Sequence, residues 1–314
     1  MNFVFIPFFL VAHVAVDETV WKLGPEFVFD VEMNFTSIPM DHHLQTVKKS
    51  NYTVMNLYCR PKRDDTLALS CRMANCRGQS IDLTNDNQLE MSEETYKRFC
   101  DAEPFEIKYN EHGIDHLIVN ERMRVYTLND IKLIAERLNI GVDLNGIPDG
   151  TFDVPQNTTI GRCNVHVGLH HYPTKRVLNN VEKYRYELKA LPPLNKVPGE
   201  VLLIQKTTNL NNCSRYAAFY FGSYGNSLVE PDLHSHLESS TSRIFISDFQ
   251  FASTLSRTGT LGSDRMNNLV AISEYVSVTL REIRAAKREL PDITEASRTD
   301  IEVNANVNRI NAMK

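Results

Sequence analysis

The distribution of apolar and polar residues along the chain is mainly that of half-buried β-strands. In residues 27–35, FVFDVEMNF, apolar side chains occupy every second position, and Asp30, Glu32 and Asn34 lie between them. This two-residue period is typical of a strand with one face in a core. Runs of the same kind predict further strands at 54–59, 67–73, 162–170, 184–188, 200–207, 243–251 and 272–280. The pattern therefore predicts a mainly β fold with about ten strands.

One helix is predicted among these strands. Residues 104–119, PFEIKYNEHGIDHLIV, form two apolar runs around a polar turn that ends at Gly113, which predicts a hairpin. The next segment, TLNDIKLIAERLNIG, has helical spacing over 127–141, with Thr127 placed to cap its start and Gly141 to end it. Its apolar residues cover more of the helix surface than one narrow stripe, so the helix is expected to be buried on most sides. A sheet that curls around the helix achieves this most simply.

The two ends of the chain differ from the middle. The first residues, MNFVFIPFFLVAHVAVDE, contain an apolar run that is too short to span a bilayer. We predict a signal peptide over residues 1–15, cleaved after Ala15, and a buried first strand is the alternative. No other segment of the sequence is apolar enough to span a bilayer. Beyond Pro291 the chain is polar and rich in Asn, which predicts a disordered tail over 291–314.

Cysteines and sequons agree with a secreted protein. The cysteines are even in number, as an oxidising compartment favours, and they are Cys59, Cys71, Cys76, Cys100, Cys163 and Cys213. Their spacing alone leaves the connectivity open. Sequons for N-glycosylation begin at Asn34, Asn51, Asn157 and Asn212. Together with the apolar leader they predict secretion.

The sequence offers little for nucleic-acid binding or catalysis. The net charge of -5 and the pI near 6.1 give no basic footprint for a nucleic-acid partner. Residues 221–225, FGSYG, have Phe221 where a nucleophile elbow needs its first Gly. A glycine-rich phosphate loop and a His-Glu-x-x-His motif are both absent from the sequence. We therefore predict a protein that is not an enzyme and has no cofactor.

The histidines form short groups without clear ligand spacing. His166 and His170 share a strand face but lie about 13 Å apart at a rise of roughly 3.3 Å per residue, so both cannot bind one ion. His234 and His236 would need a third ligand. A structural or solvent-facing role is therefore favoured over a metal site. Residues 60–63, RPKR, match a basic secretory-protease site, and a solvated hairpin loop is the interpretation we favour.

Five segments together resemble the N-terminal module of vitellogenins and related large lipid transfer proteins, in the form found in insects. They are WKLGPEFVFDVE, FEIKYNEHGIDHLIVN, TLNDIKLIAERLNI, TIGRCNVHV and LLIQKTTNLNNCSRY, and their order and spacing match as well. The resemblance implies a large antiparallel barrel-like sheet wrapped around one central helix, as a domain over 16–290. It further implies a secreted, non-catalytic protein of lipid transport or yolk supply. Lipid would be its partner, and the oligomeric state is left open.

The resemblance also implies roles for specific residues. It pairs Cys163 with Cys213, because the Gly-x-Cys and Leu-x-x-Cys motifs of the family occur here as GRC and LNNC. Residues 202–210, LLIQKTTNL, resemble a segment proposed to engage receptors of the low-density-lipoprotein type. Such receptors have acidic, calcium-loaded pockets that clamp an exposed Lys, and the contact candidates here are Lys206, Thr207 and Leu210.

Two features weigh against a simple transfer of the family's roles. Thr208 and Asn209 stand where the vertebrate receptor segment has a Lys and an Asp, which weakens the electrostatic case, and a strand end leading to Cys213 is the alternative. In the family, a helical horseshoe and further sheets after the barrel build the lipid cavity, and these 314 residues end before them. The second hypothesis is therefore a secreted recognition module that carries no lipid. Exposed apolar surface on the barrel would favour lipid carriage, and a fully polar outside would favour recognition.

Overall fold

Long antiparallel strands account for most of the structure. It is a computed structural model that describes residues 2–6, 10–14, 22–40, 49–62, 65, 67–82, 87–90, 103–110, 113–173, 186–190, 196–214, 233–263 and 270–302. The strands of these residues are β1 (Asn2–Ile6), β2 (Leu10–Val14), β3 (Pro25–Pro39), β4 (Lys49–Pro61), β5 (Ala68–Asp82), β6 (Asn87–Glu90), β7 (Phe105–Asn110), β8 (Gly113–Asn120), β9 (Gly150–Thr158), β10 (Gly161–Pro173), β11 (Tyr186–Ala190), β12 (Glu200–Ser214), β13 (Leu233–Ile246), β14 (Phe251–Ser263), β15 (Val270–Ala285) and β16 (Ala296–Thr299). The helix is α1 (Val125–Arg137).

One large sheet contains most of these strands. Its order is β16-β8-β7-β5-β4-β3-β15-β14-β13-β12-β10-β9, with β6 paired to β5, and the pairs are antiparallel. Two pairings, β3 with β15 and β8 with β16, join strands far apart in the sequence. The predicted mainly β, antiparallel, barrel-like sheet around one helix is confirmed.

The helix α1 lies inside the curve of this sheet. Ile131 and Ile134 are fully buried in a cluster that also contains residues of β3, β4, β5, β7, β8, β10, β12, β13 and β15. Leu133 belongs to a second cluster with Leu255 of β14 and Val276 of β15. Because apolar residues on different sides of α1 meet different parts of the sheet, the helix is buried on most sides, as its composition predicts.

The predicted ends of the helix are wrong. It begins two residues earlier, at Val125, with Arg124 at the N-cap and no side-chain cap hydrogen bond. It ends at Arg137, and Gly141 follows only after further non-helical residues. Packing against the sheet stabilises this helix, so a local capping residue does not decide where it starts.

Gly113, the first residue of β8, lies against the residues that follow α1. It has a φ of 112°, which non-glycine residues rarely adopt, and an added Cβ would collide with the side chain of Asn139. That Asn139 side chain accepts a hydrogen bond from the backbone N–H of Ile114 at 3.3 Å. A glycine is therefore required where the hairpin passes the residues after α1.

The prediction of a disordered tail is wrong for residues 291–302. β16 pairs with β8, and Thr299 and Ile301 are almost fully buried. Lys132 of α1 donates a hydrogen bond to the carbonyl of Glu302 at 2.6 Å. The tail is ordered here by backbone pairing to a sheet edge, which needs few apolar side chains. The rest of the predicted tail, 303–314, lies outside the described residues.

The predicted strand at 243–251 is two strands. β13 ends at Ile246, a turn follows in which Ser247 donates its backbone N–H to Gln250, and β14 begins at Phe251. The apolar pattern does not predict most of β14, because its sequence FASTLSRTGTLGS is rich in Ser, Thr and Gly.

A small second sheet has the order β1-β2-β11. It is connected to the main sheet through Leu188 of β11, which is buried in the main core and donates its backbone N–H to the carbonyl of Asp248 at 2.6 Å. β1 and β2 coincide with the residues predicted as a signal peptide, and that assignment stays a prediction. Within the described residues, the only helix is too short and too polar to be a membrane span.

Candidate functional site

β12 carries the three residues predicted to contact a receptor. It lies between β10 and β13, and its register places Lys206 opposite Val167 on one side and Ser242 on the other. Near its end, Cys213 forms a disulfide with Cys163 of β10, the pair that the family resemblance implies, with the Cα atoms 3.9 Å apart. The segment is therefore held both by strand pairing and by a covalent bridge.

The ammonium of Lys206 is directed toward the end of α1. Its Nζ donates to the carbonyl of Asn139 at 3.1 Å, to the carbonyl of Ile140, and to Oε1 of Gln156 at 3.4 Å. Carbonyl groups past a helix C-terminus carry partial negative charge and favour a cation. A receptor pocket would have to draw this ammonium away from the carbonyls before it could clamp it.

The two companions of Lys206 differ in exposure. Thr207 is exposed to solvent. Leu210 is half-buried and packs against a small apolar cluster that contains Ile160, Leu237 and Ile272. Receptor contact through Lys206, Thr207 and Leu210 stays a prediction, and Thr207 is the most accessible of the three.

A cluster of charged side chains occupies the interior beside Lys206. Oε2 of Glu136 lies 3.1 Å from Nη2 of Arg137 and 3.3 Å from Nη2 of Arg257, and it accepts a hydrogen bond from Thr159 at 2.7 Å. Nη1 of Arg257 lies 3.5 Å from Oε2 of Glu274. The helix, β14 and β15 each contribute to this network, which we call the interior charge cluster (Glu136, Arg137, Arg257 and Glu274).

The electrostatics of the interior charge cluster follow from burial and pairing. Burial acts to raise the pKa of Glu136, but Arg137, Arg257 and the hydrogen bond from Thr159 outweigh it, so the pKa is lowered. Burial also raises the pKa of Glu274, and Arg257 offsets this only in part. A cavity of about 20 Å³ between the cluster and Lys206 has room for about one water molecule. The arrangement fastens α1 to the sheet.

Lys206 should make the stability of the protein rise with pH. Burial lowers the pKa of its ammonium to about 7, and the positive charge of Arg137 acts in the same direction. Between pH about 7 and the unfolded value near 10.5, the unfolded chain binds a proton that the folded chain lacks, so raising the pH favours the folded state. We expect the free energy of unfolding to increase over this range in wild type, and the contribution of Lys206 to be absent in Lys206→Met.

The measurement is urea unfolding of both proteins at several pH values from 7 upward. Because the other titrating groups are shared, the difference between wild type and Lys206→Met isolates this residue. A difference that stays constant as the pH rises would mean that Lys206 titrates as an ordinary exposed lysine.

The histidines do not converge on a metal site in the described part of the chain. Nδ1 of His166 lies 2.9 Å from Oδ1 of Asp153, and Nδ1 of His171 lies 2.5 Å from Oδ1 of Asp149. His236 is exposed. No group of three or more metal-ligating side chains occurs among the described residues. His42 and His43, and the side chain of His234, lie outside them.

The structure separates the four sequons by accessibility. Asn157 and Asn212 are exposed. Asn34 is half-buried and its side-chain carbonyl accepts a hydrogen bond from Ser50 at 2.9 Å, and Asn51 is half-buried on the neighbouring strand. Glycosylation of all four stays a prediction, and the folded surface offers Asn157 and Asn212 most directly.

The possible protease site begins with a buried residue. Arg60 is only 6% exposed and donates both Nε and Nη2 to Oε1 of Glu26, at 3.2 and 3.0 Å. Lys62 pairs with Glu106 at 2.6 Å. The start of RPKR is therefore bound to the folded sheet, and cleavage would require it to open. Cys59 at the end of β4 is joined to Cys71 of β5, and Cys76 is also disulfide-bonded.

Comparisons with known proteins agree with the fold. The family model for the vitellogenin N-terminal domain matches residues 44–257. A solved structure of lipovitellin, described as showing lipid–protein interactions, is similar with a TM-score of 0.59 and 11% identity. The alignment covers 94% of this chain and 29% of the lipovitellin chain, and at this identity it concerns the fold alone. No curated protein matches the sequence.

Proposed function

Since the chain belongs to the vitellogenin N-terminal domain family, we propose that it is a secreted, non-catalytic module of lipid transport and yolk supply whose own part is to offer a contact surface. Family membership supports the link to lipid transport. Because the chain spans 29% of the lipovitellin chain, the lipid cargo and the receptor of the whole protein are part of the proposal.

The filled interior of the barrel carries this proposal. The helix α1 is packed into the curve of the sheet, and the interior charge cluster stands beside it. An acyl chain needs a continuous apolar cavity, and the space between the cluster and Lys206 is polar and has a volume of about 20 Å³. The barrel therefore contributes a surface, and lipid would be held elsewhere.

The outer surface is consistent with recognition. Large apolar side chains exposed in the described residues come from several different elements and loops, and they are Ile38, Met40, Leu67, Val125, Tyr172, Val197 and Tyr275. Isolated exposed apolar residues are normal on soluble proteins. Disulfides at Cys59–Cys71 and Cys163–Cys213 support an oxidising compartment and hence secretion.

The test is native mass spectrometry with lipid extraction on the secreted, glycosylated chain. We expect a chain free of stoichiometric lipid, because α1 and the interior charge cluster fill the curve of the sheet in the part of the chain that the structure describes. Stoichiometric phospholipid in the extract would contradict the proposal that the barrel offers only a contact surface, and the barrel would then be a carrier itself.

A second candidate is a recognition module that takes no part in lipid transport, and the same filled interior favours it. Its test is a pull-down with calcium-loaded repeats of a low-density-lipoprotein-type receptor, using Lys206→Ala and Thr207→Ala. Loss of binding in folded variants would place the contact on β12. Full binding by both variants would move the contact to another part of the barrel.

A further inference from the structure

A basic cleft crosses the outer face of the sheet where β5, β4, β3 and β15 lie side by side. Tyr58 and Arg60 alternate with buried Leu57 and Cys59 on β4, so they point away from the interior. The register places Tyr58 opposite Arg72 of β5, and Glu26 of β3 opposite Arg284 of β15. Four strands thus bring side chains from distant parts of the sequence to one place.

The segment after β15 forms the other wall of the cleft. Ala286 donates its backbone N–H to the carbonyl of Gly24 at 3.0 Å, and the carbonyl of Arg288 accepts a hydrogen bond from Nη1 of Arg60. These contacts hold residues 286–291 over the sheet and leave a cleft of about 330 Å³. That volume suits a small organic ligand.

The charges in the cleft do not balance. Five basic side chains and two carboxylates line it, in a chain whose net charge is -5. Glu26 uses Oε1 for Arg60 and Oε2 for Nε and Nη2 of Arg284, at 3.0 and 2.8 Å, so both of its oxygens are occupied. The second carboxylate, Glu289, is exposed at the rim. One buried carboxylate therefore serves two guanidinium groups, and Arg72, Lys287 and Arg288 have no carboxylate partner among the described residues.

Arg72 and Lys287 are the cations best placed to receive a ligand. The guanidinium of Arg72 lies over the ring of Tyr58, with its Cζ 4.5 Å from the centroid, and Arg284 approaches the same ring at 5.1 Å. This stacking orients Arg72 without occupying its donors. Lys287 is exposed at the cleft wall, and neither residue has a carboxylate partner in the part of the chain that the structure describes.

We propose that this cleft binds the phosphate group of an organic phosphate monoester. A guanidinium presents parallel N–H donors that match phosphate oxygens, and a monoester carries close to two negative charges at neutral pH, which suits several uncompensated cations better than a carboxylate does. Leu290, Pro104 and Pro291 give the cleft an apolar edge for the organic part of the ligand. This proposal does not rest on the function proposed above.

The test compares a charge-deleted cleft with a matched control. The double variant Arg72→Gln/Lys287→Gln removes two cations that form no ion pair with another described residue. The control Arg122→Gln/Arg298→Gln removes the same charge from exposed residues outside the cleft, which pair with Glu295 and Asp115. Calorimetric titration and ³¹P NMR would use glycerol 3-phosphate, dihexanoyl phosphatidic acid below its micellar concentration, and dihexanoyl phosphatidylcholine.

We expect the wild type and the control to bind both monoesters, and the double variant to bind them at least about tenfold more weakly, since each lost charge-assisted hydrogen bond costs roughly that factor. Binding should weaken below pH about 6, where the monoester loses a charge. Tighter binding of phosphatidic acid than of glycerol 3-phosphate would show that the bound phosphate group belongs to a lipid headgroup. Equal binding of the two would show that it belongs to a free phosphoester.

Three results would overturn the proposal: no binding of either monoester, equal loss in the cleft variant and the control, or tighter binding of phosphatidylcholine than of the monoesters. The failure of this site is distinguishable from the failure of the proposed function. Lipid extracted from wild type and absent from the double variant would come from headgroup binding at the cleft, whereas lipid retained by the double variant would lie elsewhere.

Discussion

Replacing Arg257 with Met is expected to lower the free energy of unfolding by about 3–5 kcal/mol. Arg257 is 1% exposed and is the cation that reaches both Glu136 and Glu274 in the interior charge cluster. Met fills a similar volume but leaves Glu274 without this partner in a buried site. Removing one member of a buried ion pair costs more than the pair contributes, because the remaining charge has lost its solvent and its counter-ion.

Urea unfolding followed by circular dichroism would measure this loss. The control is Arg281→Met, because Arg281 pairs with Asp30 on the exposed surface at 3.0 Å, where an ion pair contributes about 0–1 kcal/mol. Arg257→Met combined with Glu274→Gln should regain part of the loss, since the uncompensated carboxylate is then absent. Equal effects of the interior and surface variants would mean that the interior charge cluster does not stabilise the fold.

Removing the Cys163–Cys213 disulfide is expected to lower the free energy of unfolding by about 4 kcal/mol. The bridge joins residues 50 apart in sequence, whereas Cys59–Cys71 joins residues 12 apart. In the chain-entropy model a longer loop restricts the unfolded chain more, so the shorter bridge should contribute about 3 kcal/mol. The bridge also fixes β12 to β10 close to the predicted receptor-contact segment.

The comparison uses the double alanine variants of the two bridges, so that each loses the same atoms. Unfolding midpoints and slopes would be measured for both, because a change of slope reports a change in the unfolded state. A greater loss on removing the Cys59–Cys71 bridge would contradict the chain-entropy account and would point to packing around the buried sulfur atoms instead.

Lys206 illustrates how one residue can match a motif and still have another role in the fold. The family resemblance implies an exposed lysine that contacts a receptor, and the alternative is a strand end leading to Cys213. In the structure, the side chain reaches carbonyls of Asn139 and Ile140, which belong to a segment far away in sequence. Thr207, one position on, faces solvent because side chains alternate along a strand. The two-residue period predicts a strand over 200–207, and β12 continues to Ser214. The direction of its lysine depends on the residues after α1, which only the fold brings close.

Elements with a regular pattern of apolar residues can be predicted from the sequence. β3 and the hairpin β7–β8 have one apolar and one polar face, and α1 is apolar on several sides, so local periodicity was enough to predict a sheet curled around a helix. The ends of α1 were not determined, since packing rather than a capping residue decides where it begins.

Contacts between segments distant in sequence decide which charged side chains lie in the interior and which strand forms the edge of the sheet. β14 places Arg257 inward, which is stable because Glu136 and Glu274 arrive from α1 and β15. β16 is ordered by backbone hydrogen bonds to β8. Such bonds do not depend on side-chain polarity, so the apolar pattern of the sequence does not predict this strand. The basic cleft likewise combines four strands and a following segment. An apolar residue is buried by almost any apolar neighbour, whereas a buried charge or an edge strand needs one specific partner, and that partner is distant in sequence.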